Sequence, residues 1–311
     1  MGKLLILGVV GLLAQLVDGS LGMAYGVTST TLLLTVGVAP ALASATVHLA
    51  EIGTTAASGV SHWRLGNVDW RTVGIMAVPG AIGAFLGATL LTSLPADSSK
   101  PWVAALLVAL GGYVLWRFLR RGATPKQHHN KKLPVWFLGP LGLVAGTMDA
   151  IGGGGWGPIG TTSLLSSGRL RPRTVVGSID TSEFVVTLGG SLGFLIALSF
   201  AQVNWVWVGM LLVGGLIAAP LAALLVRKLP ARILGVAAGG LIVLTNAQTI
   251  MASVGVPSRY VPGVLIAMGA LLLVVLGMSV RTYLRERRQG GPAVADEYPA
   301  TPEVREAGDA A

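Results

Sequence analysis

The chain has 311 residues, 53% of them hydrophobic and only 11% charged, with a mean hydropathy of +0.73. A water-soluble domain carries roughly a quarter of its residues charged, so this composition excludes one and makes lipid the main solvent. The lack of cysteine excludes disulfides and thiolate-held metals. The net charge of +9 collects beside apolar runs, not on a soluble basic face, which argues against nucleic-acid binding.

In chain order, Met1-Gly2-Lys3 followed by Leu4 to Leu16 has the look of a signal peptide. No small-x-small cleavage site follows it, and the segment has a second copy inside the chain, so it reads as retained. The region 4–37 is apolar but interrupted, breaking at Asp18-Gly19-Ser20-Leu21-Gly22-Met23-Ala24-Tyr25-Gly26. Apolar runs follow at about 40–62, 70–93 and 101–119, each near the roughly 20 residues that a bilayer crossing needs. After a basic linker at 121–133 comes a second interrupted region, 134–168. It breaks at Asp149-Ala150-Ile151-Gly152-Gly153-Gly154-Gly155-Trp156-Gly157. Further runs lie at 173–198, 204–226, 231–252 and 260–282, and a Pro-, Gly- and acid-rich tail from 285 reads as disordered.

The two breaks align at an offset of 131. Asp18 falls on Asp149, Gly22 on Gly153, Tyr25 on Trp156, Gly26 on Gly157, and Thr30-Thr31 on Thr161-Thr162. One insertion later, Glu51 falls on Glu183 and His48 on Asp180. Leu94-Pro95 matches Leu229-Pro230 with the offset grown to 135. This is an internal duplication: residues 1–120 form one repeat and 134–252 the other, with an additional helix at 253–284.

Cytoplasmic loops collect Lys and Arg. If each broken region enters and leaves on one side as a re-entrant pair, all basic residues except Lys3, Lys100 and Arg259 face the cytoplasm. Each half then adds three crossings, an odd number, so the halves are inverted. Two short full crossings in place of each re-entrant pair give the same sidedness. The expected fold is therefore an all-α polytopic membrane protein with two inverted repeats and one extra C-terminal helix. It is expected in the cell inner membrane, and homo-oligomerisation is left open.

Five acids lie within apolar segments: Asp18, Glu51, Asp149, Asp180 and Glu183. Each costs roughly 2.5–3.5 kcal/mol at the bilayer centre on insertion scales, so it should face a cavity or a partner. His48 and Glu51, like Asp180 and Glu183, are three apart and share a helix face. The functional reading makes these six residues proton-coupling groups between the halves. The alternative for Asp18 and Asp149 is that they cap free backbone at the break and never titrate. Unwound backbone inside a membrane is tolerated only where protein or water satisfies it, and paired broken segments point to a transporter's substrate site. The expected anion site takes Gly22, Tyr25, Gly26, Thr28, Ser29, Thr30 and Thr31 from the first break. From the second it takes Gly153, Gly154, Gly155, Trp156, Gly157, Thr161, Thr162 and Ser163. Backbone N–H groups, the positive helix end and hydroxyls would hold the anion.

Other apparent motifs fail. Gly152-x-Gly154-x-x-Gly157 lacks the surrounding βαβ unit of a dinucleotide fingerprint, and His48-Leu49-Ala50-Glu51 is no zinc motif. His62-Trp63 fits an interfacial anchor at a helix end. No cofactor, metal or nucleophilic constellation is indicated.

The run Gln15-Leu16-Val17-Asp18-Gly19-Ser20-Leu21-Gly22-Met23-Ala24-Tyr25-Gly26, with Thr28-Ser29-Thr30, resembles the sulfite exporter TauE/SafE family. So do Ala43-Ser44-Ala45-Thr46-Val47-His48, Ser61-His62-Trp63-Arg64-Leu65-Gly66-Asn67-Val68 and Asp149 to Pro158. That resemblance spans about 5–280 and implies secondary transport of a small sulfur-containing anion, sulfite or an organosulfonate, coupled to protons. An anion channel, or a carrier of another carboxylate or oxyanion on the same scaffold, is the alternative. An intramembrane enzyme would need an activated nucleophile, and a purely structural subunit would leave the paired acids and breaks unexplained.

Overall fold

A computed structural model describes residues 2–21, 23, 25–119, 132–167, 169–170, 172–225 and 231–288, and among these there are helices and turns but no strand. The first broken region is α1 (Gly2–Leu21) and α2 (Tyr25–Thr35). It is followed by α3 (Pro40–Arg64), α4 (Trp70–Ser93) and α5 (Ala96–Leu119). The second is α6 (Val135–Gly152), a π-helical turn (Gly157–Thr161) and α7 (Thr162–Ser167). Then come α8 (Pro172–Leu198), α9 (Trp205–Leu225), α10 (Ala231–Ser253) and α11 (Val261–Arg288). The basic linker and the acidic tail lie almost wholly outside the described residues, as does Gly22.

Among the described residues, six helices are long and apolar enough to cross a membrane: α4, α5, α6, α8, α10 and α11. The expected run at 40–62 is not among them. Its helix, α3, has 25 residues, about 37 Å at 1.5 Å per residue, so length is ample. Its composition is what differs, because Ser44, Thr46, His48, Glu51, Thr54 and Thr55 are all buried. A helix walled off from lipid by its neighbours can carry such residues, and α3 packs against α2, α8 and α9. In α9, the apolar stretch that is described, Trp205–Ala218, is shorter than a full crossing. Each broken region is an unequal pair. α1 and α6 have 20 and 18 residues, about 30 and 27 Å. α2 has only 11.

Local chemistry sets the helix ends. Pro40 opens α3, where its missing N–H costs nothing. The Asp69 carboxylate accepts from Thr72 N at 2.8 Å to cap α4. α6 stops at Gly153, which takes the left-handed conformation (φ 66°, ψ 32°) that glycine adopts without strain.

The halves are interleaved, and their contacts mirror the duplication. α1 of the first half packs on α9 of the second, while α6 of the second packs on α4 of the first. The crossings use equivalent residues. A Cβ on Gly11 would lie 2.5 Å from Leu211 O, and one on Gly142 would lie 2.5 Å from Met76 O. Gly80 faces the Trp156 ring, and its counterpart Gly215 faces the Tyr25 ring. Between helices in lipid, van der Waals packing replaces the hydrophobic effect as the main attraction, so such glycine-to-backbone approaches hold the halves together.

The outer surface is apolar, with Val78, Ile82, Leu86 and Leu90 exposed along α4 and Leu188, Leu192 and Ile196 along α8. Trp63, Trp70, Trp102, Trp136 and Trp205 are exposed near helix ends, as an interfacial belt requires. Arg71 and Arg169 donate to the carbonyls of Leu133 and Lys132, gathering basic side chains at the start of α6. α11 packs against α10 and is otherwise largely exposed.

Candidate functional site

The two breaks meet. A Cβ on Gly26 would lie 2.3 Å from Gly153 O and 2.6 Å from Gly154 Cα, and one on Gly154 would strike the backbone of Gly26 and Val27. Only glycine permits this approach. Thr30 Oγ1 seals the junction by donating to Gly153 O at 3.0 Å. The sequence places these segments in separate halves; the interleaving of α1 with α9 and of α6 with α4 brings them together.

At each break an aspartate caps the arm that follows. Asp149 Oδ1 accepts from Gly155 N at 2.7 Å and from Trp156 N at 2.9 Å. Asp18 Oδ1 accepts from Tyr25 N at 3.1 Å, the equivalent bond. Backbone donors expected to be open to an anion are thus partly taken up by carboxylates. Both aromatic rings are buried and tethered across the fold, Tyr25 through its hydroxyl to Leu211 O at 3.1 Å and Trp156 through its indole N–H to Ile179 O at 3.2 Å. The short arms begin at Tyr25 and Gly157, so the threonine clusters lie one turn inside them.

The hydroxyls divide into two sets. Thr30 holds Gly153, Thr31 Oγ1 accepts from Asn246 Nδ2 at 3.0 Å, and Thr162 Oγ1 donates back to Pro158 O. Thr161 is buried and Ser163 half-buried, at the end of the π-helical turn and the start of α7. Thr28 Oγ1 and Ser29 Oγ, by contrast, are buried with no hydrogen-bond partner. So is Glu51 Oε2, while Glu51 Oε1 would lie 2.8 Å from a Cβ on Gly26. Buried polar atoms without partners are costly, and of these Ser29 Oγ, three residues on from Gly26, and the Glu51 carboxyl are on the side of α2 that meets the second break.

The remaining acids separate by environment. His48 Nε2 lies 3.2 Å from Asp149 Oδ2, both groups fully buried. His48 Nδ1 lies 3.0 Å from Ser44 O, a group that can only accept, so that nitrogen carries a proton. Ser44 Oγ in turn donates to Ala150 O at 2.6 Å, tying α3 to α6. Asp180, the counterpart of His48, accepts from Ser58 Oγ at 2.7 Å and lies 3.5 Å from His62 Nε2. Asp180, Asp18 and Glu183 share one narrow crevice with Gln15, Thr54, Thr55 and Ser58, with room for about one water molecule. Glu183 is within electrostatic range of Glu51, Asp18, Asp149 and Asp180, so the five acids form one central group. Among the described residues, no cluster of His, Asp and Glu is arranged to hold a metal ion.

Three residues in contact with this region carry no site role in the sequence reading. His62 was read as an interfacial anchor, yet it pairs with Asp180 from the opposite half. Asn246 was signalled only as an amide inside an apolar run. Gln15, quoted within the first motif but given no role, lines the crevice with its Oε1 unpartnered.

Comparison with known proteins shows the family. The model of the sulfite exporter TauE/SafE family matches residues 7–249. A probable membrane transporter protein of Bacillus subtilis (strain 168), YtnM, is 52% identical over 277 residues, covering 88% of this chain and 91% of that one. A probable membrane transporter protein of Xylella fastidiosa (strain Temecula1 / ATCC 700964) is 29% identical, over 68% of this chain and 81% of its own. No solved structure matches. The chain is an integral, multi-pass membrane transporter and belongs to the sulfite exporter TauE/SafE family.

Proposed function

We propose that this transporter is a proton-coupled secondary carrier of a small sulfur-containing oxyanion, sulfite or an organosulfonate, working by alternating access between inverted repeats in the cell inner membrane. The observation that carries the reading is the junction of the two breaks, where the Glu51 carboxyl lies against Gly26 and the Ser29 hydroxyl, three residues on and on the same face of α2, is buried without a partner. An oxyanion supplies the acceptor that hydroxyl lacks, and the remaining N–H groups of the short arms add favourable dipole. The Glu51 carboxylate would repel an anion across so short a distance; a proton on it removes the repulsion. Anion and proton therefore bind together, which is coupling by electrostatics. The contact between Gly26 and Gly153 is the closed form of the site, and separating the arms admits the solute. The family description names sulfite, and it supports the anion class more than a particular cargo.

The test is flux into proteoliposomes containing the full chain, with sulfite, sulfoacetate and sulfate as the panel. A carrier gives saturable uptake driven by a pH gradient, and preloaded unlabelled solute accelerates entry of label. Uptake of none of the panel would end the reading, and conductance without counterflow would replace the carrier with a channel.

A further inference from the structure

The duplication places His48 and Asp180 at equivalent positions, and their different chemistry makes the two sides of the junction unlike. On one side His48 faces Asp149 in a fully buried pair held by Ser44. On the other, Asp180 stands where the histidine would be and shares a crevice with Asp18 and Glu183. The crevice also holds Gln15 Oε1, a buried carbonyl oxygen with no partner. A polar space with an unpartnered acceptor on its wall is where ordered water resides. His62 stands beside it, 3.5 Å from Asp180, its side chain 23% exposed at the last turn of α3.

We propose that the proton route of the carrier runs on this side only, entering through His62, passing to Asp180 and continuing through the crevice to Asp18 and Glu183. The His48–Asp149 pair is a structural lock that carries no protons. The proposal rests on the proton-coupled reading above and names its path. Protonated His62 gives its Nε2 proton to Asp180 Oδ2 and keeps the one on buried Nδ1; the ring, part exposed at the helix end, then turns Nε2 toward bulk water to take another. The Asp180 proton then moves along crevice water to Asp18 or Glu183, which leaves Asp180 ionised again. Imidazole is the side chain suited to this shuttle near neutral pH, and chains of Asp, Glu and His are the usual relays through membranes. Ser58, His62, Asp18 and Glu183 are the polar and titratable groups that face Asp180 from α3, α1 and α8, with Glu51 and Asp149 behind them.

The experiment compares wild type, His62→Gln, Asp180→Asn and Asp180→Glu in proteoliposomes, with sulfite and sulfoacetate as solutes. Accumulation driven by a pH gradient is read against counterflow at equal pH, which needs no net proton movement. The expected result is that His62→Gln and Asp180→Asn lose gradient-driven accumulation by about tenfold or more. His62→Gln keeps its counterflow, and Asp180→Glu, which restores a carboxyl, keeps accumulation. Wild-type accumulation by either the Gln or the Asn variant overturns the route. So does accumulation that follows a sodium gradient at clamped pH and still requires Asp180, since the crevice would then be a cation site. Proton-coupled flux in wild type with none of these effects refutes the route alone; absence of wild-type flux refutes the reading beneath it.

Discussion

Replacing Gly26 with alanine probes the junction directly. The new Cβ would meet Gly153 O at 2.3 Å, Gly154 Cα at 2.6 Å and Glu51 Oε1 at 2.8 Å. The first two are backbone atoms of the opposing break, with no rotamer to turn away. Overpacking costs about 1–3 kcal/mol, and rigid neighbours put this site at the upper end. Alanine regains up to about 1 kcal/mol of helix propensity in α2, which leaves a net loss of about 2 kcal/mol. For a chain of this size that is a fall of about 5 °C in apparent Tm. Gly74→Ala is the control: its Cβ enters open space in the interior of α4, so only the propensity gain remains and stability should rise slightly. Thermal unfolding in detergent, followed by circular dichroism, reads both. A Gly26→Ala protein as stable as wild type would mean that the arms are not in contact, and the reasoning would fail.

Four more outcomes follow from the same geometry. Ser29→Ala removes a buried hydroxyl with no partner, so stability should hold while the transport KM rises about tenfold to a hundredfold, the loss of a hydrogen bond to a charged solute. Wild-type uptake should climb as pH falls, because protonating Glu51 relieves its repulsion of the anion; Glu51→Gln should flatten that profile, measured as initial flux against pH. Asp149→Ala removes the acceptor of two N–H groups and the partner of His48, costing about 3–5 kcal/mol by thermal unfolding. Asp149→Asn keeps an oxygen for the cap and should cost less. Gly11→Ala and Gly142→Ala, each placing Cβ 2.5 Å from a carbonyl oxygen at equivalent crossings, should destabilise to a similar degree.

The duplication was legible because it is written in residue identity, and it reaches further than expected. The alignment of Tyr25 with Trp156 appears as two equivalent caps and two rings lodged against Gly215 and Gly80. What could not be read was which half touches which. Nothing local states that α1 packs on α9, so the meeting of Gly26 with Gly153, and of His62 with Asp180, has no signal in spacing. The run at 40–62 holds a 25-residue helix, but one less apolar on average than a crossing in lipid needs. Window averages measure what a helix offers to lipid, and α3 turns Ser44, His48 and Glu51 toward protein. The alternative reading of Asp18 and Asp149 as caps describes the hydrogen bonds they make, and it leaves Glu51 as the carboxyl at the junction with no capping duty.

A bromine-bearing organosulfonate diffused into crystals of the protein would locate the solute through anomalous scattering. The sulfonate should sit against Ser29 with the Gly153–Gly155 backbone across from it, and its bromine peak should disappear in the Ser29→Ala variant. A peak confined to the crevice of Asp18, Asp180 and Glu183, or unchanged by that variant, would contradict an anion site at the meeting of the two breaks.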